Sequence, residues 1–531
     1  MKKQIITSVF SLIALAAMPA FGQIYDYNFA TSAATDVDWD DILWNATETT
    51  QPRDRYFVNI NNSTSANVYV RGGATANLAD NASMYLQNDT RLIIGDTEGD
   101  KISTMRFIAD GTKDTFLEIT GRSSVLVNKN GVLTMDANRP IRWWNASTQM
   151  PDDFVAFMVD GGTVNGSINP GVNANNNGKV NVVFKNGATL NRNTEINPLG
   201  MNAKSSFTFD NSTYNVWNAL NTQNNGFGNH VMNTGAYNQD IQQTVTITNG
   251  AVWNGAGVVE NSAVTYYDFS EDITSSGMSG ADLTLQVGYG KNEDNYFKFQ
   301  ILNGGKVSAK SVVLSSQENS RSLQTMGSFT FEMQSDSASN MSRLAAFGGT
   351  NMNLARTNAE STWSNNFLMK GNSKYQTVGG FAIGRNEDFG GTANFALSGN
   401  NNIFQLGGNL SIIPGWNTEN VSNAVVNITT EDATNSVFQT NGFNVYSHFN
   451  SQVDVKFLGK TNTVSFTNND FNMYSSQYAG NSTATVEIGT AEFTSSHNFH
   501  LRNYFSGDQN MIFSNGVQAS IGSAQLYASG T

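Results

Sequence analysis

The sequence predicts an all-β fold and, within that class, a β-solenoid with degenerate repeats. Three features carry the prediction: short runs in which apolar and polar residues alternate, a turn sequence built on Asn-Gly that returns along the chain, and a match between two distant segments. Of the 531 residues, 48 are Gly and only 7 are Pro, which is typical of many tight turns between short regular elements.

Alternating runs are the evidence for strands. Examples are Phe207-Thr208-Phe209 and Val245-Thr246-Ile247, each closed within a few residues by Asn. Successive side chains of a strand point to opposite faces, so such runs of β-branched and aromatic residues predict short, half-buried strands. After residue 23 no segment shows the apolar spacing of an amphipathic helix.

A turn sequence recurs in which an apolar residue and one polar residue precede Asn-Gly, and another strand follows. Phe184 to Leu190 and Ile247 to Trp253 are two of its copies. Asn and Gly tolerate positive φ, so the dipeptide turns the chain sharply. It can serve a two-residue hairpin or the corner between two strands of one solenoid coil, and the local sequence leaves both interpretations open.

Two segments of the chain match at long range. Gly290 to Asp294 aligns with Gly384 to Asp388 at an offset of 94 residues. With two extra residues in the second copy, the apolar positions that follow align as pairs: Phe299 with Phe395, Ile301 with Leu397, Val307 with Ile403, and Leu314 with Leu410. Stacked coils require apolar side chains in the same internal column and leave the exterior free, so the match predicts a degenerate repeat.

A string of β-sandwich domains is the competing architecture. It would divide the chain into units of about 100 residues joined by linkers. The composition and the strand-and-turn pattern are instead uniform over residues 55–531. The solenoid also explains the abundant Asn, because stacked amides form ladders on successive coils. Residues 23–54 differ from the rest in composition and pattern, with Trp39 and Trp44 among acidic residues. They are predicted to cap the first coil.

The amino terminus predicts export. A basic start, Lys2 and Lys3, precedes an apolar run over residues 5–17, and small residues end at Gly22. This is the pattern of a secretory signal peptide, residues 1–22. The competing interpretation is a membrane anchor, but the run is shorter than the roughly 20 residues that span a bilayer. No later segment is apolar for long enough, so we expect no transmembrane helix in the mature chain.

Composition excludes several classes of function. Charged residues make up 14% of the chain and the formal net charge is −13. This charge argues against a nucleic-acid partner, because phosphates require a basic surface. The absence of Cys excludes thiolate zinc sites, cysteine nucleophiles and iron–sulfur clusters. A surface rich in Asn, Ser, Thr and Gly suits contact with glycans or with host or cell-surface proteins.

The export signal, the absence of Cys and blocks such as Ile247 to Trp253 and Phe299 to Val307 resemble the passenger regions of bacterial autotransporter-type surface proteins. The resemblance covers most of residues 55–531. It implies a right-handed parallel β-helix that is displayed on the outer cell surface or released from it, and many such proteins are adhesins or spacers. The membrane-anchoring carboxyl-terminal domain of that family has no counterpart up to Thr531. The sequence is therefore interpreted as a fragment or as a protein released without that anchor.

The acidic cluster of Asp36, Asp38 and Asp40 is the most distinctive local motif of the sequence. In a strand these carboxylates would share one face and could bind a hard cation such as Ca²⁺. The helical calcium-loop motif does not fit, because Asp41 stands where Gly is required and Thr47 where the bidentate Glu should be. The competing interpretation is a solvated face of the cap.

Two acidic pairs, Glu293-Asp294 and Glu387-Asp388, lie at equivalent positions of the long-range match. They could serve as general acid and base, or as calcium ligands, in a polysaccharide lyase. Adjacent residues of a strand point to opposite faces, however, and a unique active site is not expected to occur twice. We therefore predict a corner structure shared by two coils rather than a catalytic site.

Two aromatic pairs, Trp143-Trp144 and Tyr266-Tyr267, are candidates for binding sugars. A flat π face fits the apolar face of a sugar ring, so exposed rings of this kind would bind by stacking. The competing interpretation is that these rings fill the interior of the coils or cover loops.

The sequence shows no group of residues that is expected to form a catalytic site. The 4 histidines are dispersed, and His497 and His500 would lie on opposite faces of a strand. The sequence therefore predicts a secreted or surface-displayed structural or adhesive module without catalytic activity. A polysaccharide-degrading enzyme, either a lyase or a glycosidase on the same scaffold, is the alternative. A passive stalk for a missing carboxyl-terminal domain is a further one.

Overall fold

A computed structural model describes most of the repeat region and two short segments near the amino terminus. The described residues are 25–29, 36–39, 56–61, 67–78, 83–87, 89–107, 117–135, 140–143, 154–169, 179–191, 204–216, 230–233, 242–260, 263–273, 277–286, 293–316, 326–354, 362–384, 390–414, 424–448, 450–475, 482–503, 507–514 and 517–528. They are almost entirely β-strand, with one 3₁₀ helix at Ala338–Asn340, and none of their helices is long and apolar enough to cross a membrane. The predicted signal peptide lies outside them.

The strands stack in parallel on three faces of a solenoid, and a coil contributes one strand to each face. The first face is one unbroken series of pairings. Its sixteen strands within the described residues are Asp36–Asp38, Asn67–Val70, Arg91–Ile94, Ser124–Asn128, Val155–Asp160, Lys179–Lys185, Lys204–Asp210, Gln242–Thr248, Tyr296–Leu302, Ser328–Gln334, Ser364–Met369, Thr392–Leu397, Val425–Thr429, the first part of Gln452–Phe466, the first part of Ser482–Asn503, and Gly507–Phe513.

The second face follows each strand of the first after a short corner, and it too is one series. Its strands are Thr75–Leu78, Ser103–Phe107, Gly131–Met135, Thr163–Asn165, Thr189–Asn191, Thr213–Asn215, Val252–Asn254, Lys306–Ala309, Ser342–Ala346, Ser373–Thr377, Ile403–Leu406, Val437–Thr440, and parts of Gln452–Phe466, Ser482–Asn503 and Gln518–Ala528. A two-residue pair, Gly399–Asn400 with Ala433–Thr434, links two of the corners.

The third face completes the coils in two series. The strands of the first series are Tyr25–Phe29, Tyr56–Asn61, Ser83–Gln87, Leu117–Ile119, Pro140–Trp143 and Ser167–Asn169. Those of the second series are His230–Asn233, Leu283–Gln286, Val312–Ser316, Thr350–Met352, Phe381–Ile383, Leu410–Ile412, Phe443–Ser447, Phe471–Ser475, and parts of Ser482–Asn503 and Gln518–Ala528. Three faces of parallel strands make a parallel β-helix, which confirms the predicted β-solenoid.

The Asn-Gly turns are corners between the first and second faces. Asn186 and Gly187 have φ values of 57° and 80° and join Lys179–Lys185 to Thr189–Asn191. The Gly187 N–H donates to the carbonyl of Asn211 in the next coil, 2.7 Å away. Each such corner is therefore bonded to the corner stacked on it, and the hairpin interpretation of these turns is excluded.

Coil length is irregular, as the degenerate repeat predicts. Stacked partners are separated by 24 residues for Asn191 and Asn215 but by 54 residues for Thr246 and Gln300. The long-range match in the sequence spans three coils. Its first half is confirmed, because Phe299 lies in the same column as Phe395, and Ile301 lies in the same column as Leu397.

The second half of that match is wrong. Its alignment is off by one residue at Val307 and by two residues at Leu314. The observed column partner of Val307 is Phe404, and that of Leu314 is Ile412. Ile403, the predicted partner of Val307, lies on the outer face instead. Each of the two intervening corners is one residue longer in the later coil, and a one-residue slip turns the following side chains to the opposite face.

The interior is a set of apolar columns. Phe299, Phe331, Phe367 and Phe395 occupy one column on four successive coils, and their rings stack with centroid distances of 5.8, 5.1 and 4.6 Å. All four are at most 1% exposed. Stacked aromatic pairs contribute about 0.5–1.5 kcal/mol each beyond the burial of their area, so this column is a main source of stability.

The segment predicted to be the cap contributes to the solenoid itself. Tyr25–Phe29 pairs in parallel with Tyr56–Asn61, and Asp36–Asp38 pairs with Asn67–Val70. Trp39 follows the second of these strands and is 1% exposed, so its indole belongs to the core. The earliest described rung of two faces is therefore formed by residues before position 55.

Within the part of the chain that the structure describes, one coil carries an insertion with antiparallel strand pairing. The insertion follows Val252–Asn254 on the second face, and its strands are Ala256–Glu260, Ala263–Tyr266 and Ser279–Gly280. It accounts for the 54-residue separation between Thr246 and Gln300.

The insertion folds back over the outside of the following coils. Tyr267 and Phe269 pack with Phe347, which follows a second-face strand, in a small core separate from the main one. Asp272 forms an ion pair with Lys374, one coil further along. The insertion therefore braces the second face over several coils.

Candidate functional site

Asparagine amides form a hydrogen-bonded ladder on the outside of the second face. Asn191 donates to the Oδ1 of Asn165 at 2.9 Å, and Asn215 donates to Asn191 at 2.8 Å. Asn254 continues the ladder by donating to Asn215 at 2.9 Å. Asn165 donates in turn to the hydroxyl of Thr134 at 3.1 Å. This confirms the amide ladders that the abundance of Asn predicts.

A second amide ladder lies on the first face. Asn394 donates to Asn366 at 2.9 Å, and Asn427 donates to Asn394 at 3.0 Å. Each amide is partly buried between its neighbours, and the ladder stands outside the phenylalanine column. Over the coils of these two ladders, the outer surface thus presents neutral donors and acceptors that repeat from one coil to the next.

Replacing Asn191 with alanine is expected to lower the free energy of unfolding by about 1–2 kcal/mol. The change removes the acceptor of Asn215 and the donor to Asn165, so two partly buried amides each lose a partner. Urea-induced unfolding followed by circular dichroism measures the loss. Asn254→Ala, which removes one bond of the same ladder, should cost less, and an equal or smaller loss for Asn191→Ala would contradict the ladder.

The acidic cluster at the amino terminus is engaged in an ion pair. The Oδ2 of Asp38 accepts a hydrogen bond from the Nη2 of Arg71 at 3.0 Å, and the Oδ1 lies 2.6 Å from the Nε of the same guanidinium. The hydrogen bond to Asp38 raises the pKa of Arg71, and the guanidinium also lies 4.4 Å from the ring centroid of Tyr69. The Asp36 side chain and Asp40 lie outside the described residues, so calcium binding by the cluster stays a prediction.

One of the two acidic pairs falls within the structure. Glu293 and Asp294 are exposed in a turn just before Tyr296–Leu302, whereas Glu387 and Asp388 lie outside the described residues. Across the described ranges, no group of three or more His, Cys, Asp or Glu side chains is placed to hold a metal ion.

The aromatic pairs have different surroundings. Trp143 ends the strand Pro140–Trp143, and its side chain and Trp144 lie outside the described residues. Burial raises the pKa of Tyr266 and of Tyr267 to about 12.

Tyr267 belongs to the small core beneath the insertion. It is 7% exposed, and its ring packs edge-on against Phe269 and Phe347, each at a centroid distance of 5.0 Å. Its ring therefore fills the space under a loop and is not presented for stacking on a sugar.

A column of large side chains lies on the outside of the third face near the last coils. Tyr446, Tyr474 and Arg502 follow one another on successive coils. The two phenol rings stack at 5.1 Å, and the Arg502 guanidinium lies 5.6 Å from the centroid of Tyr474. The stacked phenol rings of Tyr446 and Tyr474 cover each other's faces, and the Tyr474 hydroxyl donates to the Oδ1 of Asn472 in the same strand at 2.9 Å.

A carboxylate–imidazole pair stands beside this column. The Nε2 of His500 lies 3.1 Å from the Oδ2 of Asp470, and the Asn498 N–H donates to the other oxygen at 3.0 Å. His500 is largely buried, whereas His497 is exposed and bonds to Ser496. The sequence did not reveal the pair, because Asp470 precedes His500 by 30 residues, one coil earlier.

The free energy of unfolding should decrease as the pH is lowered from about 6.5 to about 4, because of His448. The imidazole is 3% exposed, and burial lowers its pKa to about 4 from an ordinary value of 6.5. The unfolded chain therefore binds a proton in this range that the folded chain does not. The contribution of His448 is complete above pH 6.5, and about 2 kcal/mol is lost between pH 7 and pH 5.

Urea-induced unfolding at several pH values checks this expectation. His448→Gln should flatten the curve over this range, whereas the exposed control His497→Gln should leave it unchanged. Equal pH dependence in the wild type and in His448→Gln would contradict the assignment.

Comparison of the chain with protein-family models, with curated proteins and with solved structures finds no match in any of the three.

Proposed function

We propose that this chain is an exported structural or adhesive module of a bacterial cell surface and carries no catalytic activity. The main support is the unbroken stack of sixteen described strands on the first face, from Asp36–Asp38 to Gly507–Phe513. At about 4.8 Å per strand the stack is roughly 70 Å long. Backbone hydrogen bonds run along this axis on every coil, which makes a stiff rod that can extend or present a contact surface.

The outer amide ladders support an adhesive role. They offer donors and acceptors at the spacing of the strands, as in the series from Asn165 to Asn254. Neutral amides can exchange hydrogen bonds with the hydroxyls of a glycan or with the backbone of a cell-surface protein, and no charge has to be desolvated. Glycans and surface proteins are therefore the partners that we propose.

The charged side chains support a structural rather than a catalytic role. Burial alone would raise the pKa of Glu332, but hydrogen bonds from Lys370 and Gln300 outweigh it and hold the pKa below its usual range. Glu332 lies 2.8 Å from the Nζ of Lys370 and accepts from Gln300 at 2.9 Å. A carboxylate held ionised in this way joins adjacent coils and is poorly suited to act as a general acid at neutral pH.

The test exposes the purified protein to a panel of plant, host and bacterial polysaccharides, with and without Ca²⁺, and records retention and new chain ends together. We expect retention on a glycan without cleavage, and Asn191→Ala and Asn394→Ala should weaken it if the amide ladders make the contact. New chain ends from any glycan would overturn the non-catalytic proposal and favour the polysaccharide-degrading alternative. Retention on none of them would direct the search to protein partners or to a spacer role.

A further inference from the structure

The second face carries a strip of four rungs without a charged side chain. Each rung turns two half-exposed side chains outward, one on either side of a buried one. The rungs pair in register and are Val132-Leu133-Thr134, Thr163-Val164-Asn165, Thr189-Leu190-Asn191 and Thr213-Tyr214-Asn215. The outward side chains therefore form two columns along the rod. One column consists of Val132 and three Thr side chains, and the other consists of Thr134 and three amides.

The strip has a boundary at each end. On one side the neighbouring rung, Ser103–Phe107, places the exposed Arg106 in the amide column next to Thr134. On the other side Val252 packs against the core beneath the insertion, and Asn254 is only 9% exposed. Four uncharged rungs therefore lie between a cationic side chain and the insertion.

The amides of the strip keep hydrogen-bonding capacity after their ladder has formed. Asn165, Asn191 and Asn215 each donate one N–H and accept one hydrogen bond within the ladder. A side-chain amide has two N–H donors and an oxygen with two lone pairs. Each of these amides therefore has one donor and one acceptor position left for a ligand.

The strip is also rigid and neutral. The side chains beneath its last three rungs, Val164, Leu190 and Tyr214, are fully buried, and the ladder fixes the amides above them, so a ligand has few side chains to order. At the adjoining corner Asp160 and Lys185 pair with each other at 3.1 Å. These features favour a neutral ligand that repeats at the spacing of the strands.

We propose that the strip binds a neutral, extended β-1,4-linked glycan, which lies along the rod with one sugar on each rung. The inference rests on the proposed adhesive function and specifies its ligand. Strands are about 4.8 Å apart, and an all-equatorial β-1,4-linked chain advances by nearly the same distance per sugar. Methyl groups of the Thr column can contact the apolar faces of the rings, while hydroxyls and amides bond to sugar hydroxyls. Glycans of the cellulose type and of the chitin type both have this chemistry.

The test titrates the purified protein with oligosaccharides of two to six sugars in a calorimeter. A β-1,4-linked glucose series and a β-1,4-linked N-acetylglucosamine series distinguish the two types of glycan. For at least one series the association constant should rise by about 2–10-fold with each sugar and level off at four, because four rungs are available. The α-1,4-linked glucose series coils instead of following a straight column, and it should bind at least about tenfold more weakly.

Valine substitutions locate the contact. Thr163→Val, Thr189→Val and Thr213→Val together remove three hydroxyls and keep the β-branched shape. The circular dichroism spectrum should be unchanged, and the affinity should fall by more than about tenfold. The matched control, Thr208→Val with Thr244→Val, removes hydroxyls from half-exposed positions on the first face and should bind like the wild type.

Three outcomes would each overturn the inference: no binding in either β-1,4-linked series, equal affinity for the α-1,4-linked series, or full affinity in the triple threonine variant. Retention on another glycan of the panel, together with any of these three outcomes, would leave the adhesive function standing. The failure of this inference can therefore be told apart from the failure of the proposed function.

Discussion

Replacing Phe367 with alanine is expected to lower the free energy of unfolding by about 3–5 kcal/mol, the largest effect of any single side chain considered for this protein. Its ring is fully buried and lies 5.1 Å from Phe331 and 4.6 Å from Phe395 by ring centroids. It also contacts the ring of Tyr375 on the second face and the ring of Phe381 on the third face, at centroid distances of 5.2 and 5.4 Å. One ring thus joins all three faces and the coils on either side.

Urea-induced unfolding, followed by near-ultraviolet circular dichroism, measures the loss. The matched control is Leu368→Ala, which changes the next residue on the half-exposed side of the same strand and should cost much less. A coil contacts mainly its neighbours, so amide exchange should accelerate first in the strands on either side of Ser364–Met369. A loss below about 1 kcal/mol for Phe367→Ala would show that the column tolerates a cavity.

The second large effect is expected from Gly408→Ala, which should cost about 3 kcal/mol, at the upper end of the range for overpacking. Glycine pairs stack at the corner between the second and third faces. A Cβ on Gly408 would lie 2.5 Å from the nitrogen of Gly380 and 2.7 Å from the carbonyl carbon of Gly379. Both are backbone atoms of the preceding coil, which cannot move without shifting the strands that they join.

Gly349→Ala is the control in the same corner column. Its Cβ would meet only the carbonyl oxygen of Gly380 at 3.3 Å and its nitrogen at 3.9 Å. Any entropic cost of a glycine in the unfolded chain is common to both substitutions, so the difference between the two melting curves isolates the steric contact. Equal losses for the two variants would contradict the close stacking of the corners.

The strands were predictable because their signal is local. The alternation in Phe207-Thr208-Phe209 corresponds to a strand in which the two rings are buried and Thr208 is half-exposed. The Asn-Gly turns were recognisable for the same reason, since positive φ at Asn249 and Gly250 follows from the residue types. Whether such a turn joins a hairpin or two faces depends on the strands beyond it, and the dipeptide contains no information about them.

The polar side chains that bond to each other across neighbouring coils were not predictable. Asp470 and His500 are 30 residues apart, and Asn366 and Asn394 are 28 residues apart. The glycine pairs at 348–349, 379–380 and 407–408 lie on successive coils, and their spacing is a signal that could have revealed the corner column.

The sequence by itself determined the class of fold, the short strands, the tight corners and the abundance of stacked amides. All of these depend on the conformational and burial preferences of a few adjacent residues. Only the tertiary structure decided which columns form and where Asp38 and Tyr267 are engaged. The physical reason is that stacked neighbours are separated by one coil, and coil length varies from 24 to 54 residues. No fixed period along the chain can therefore identify a residue's neighbour on the next coil.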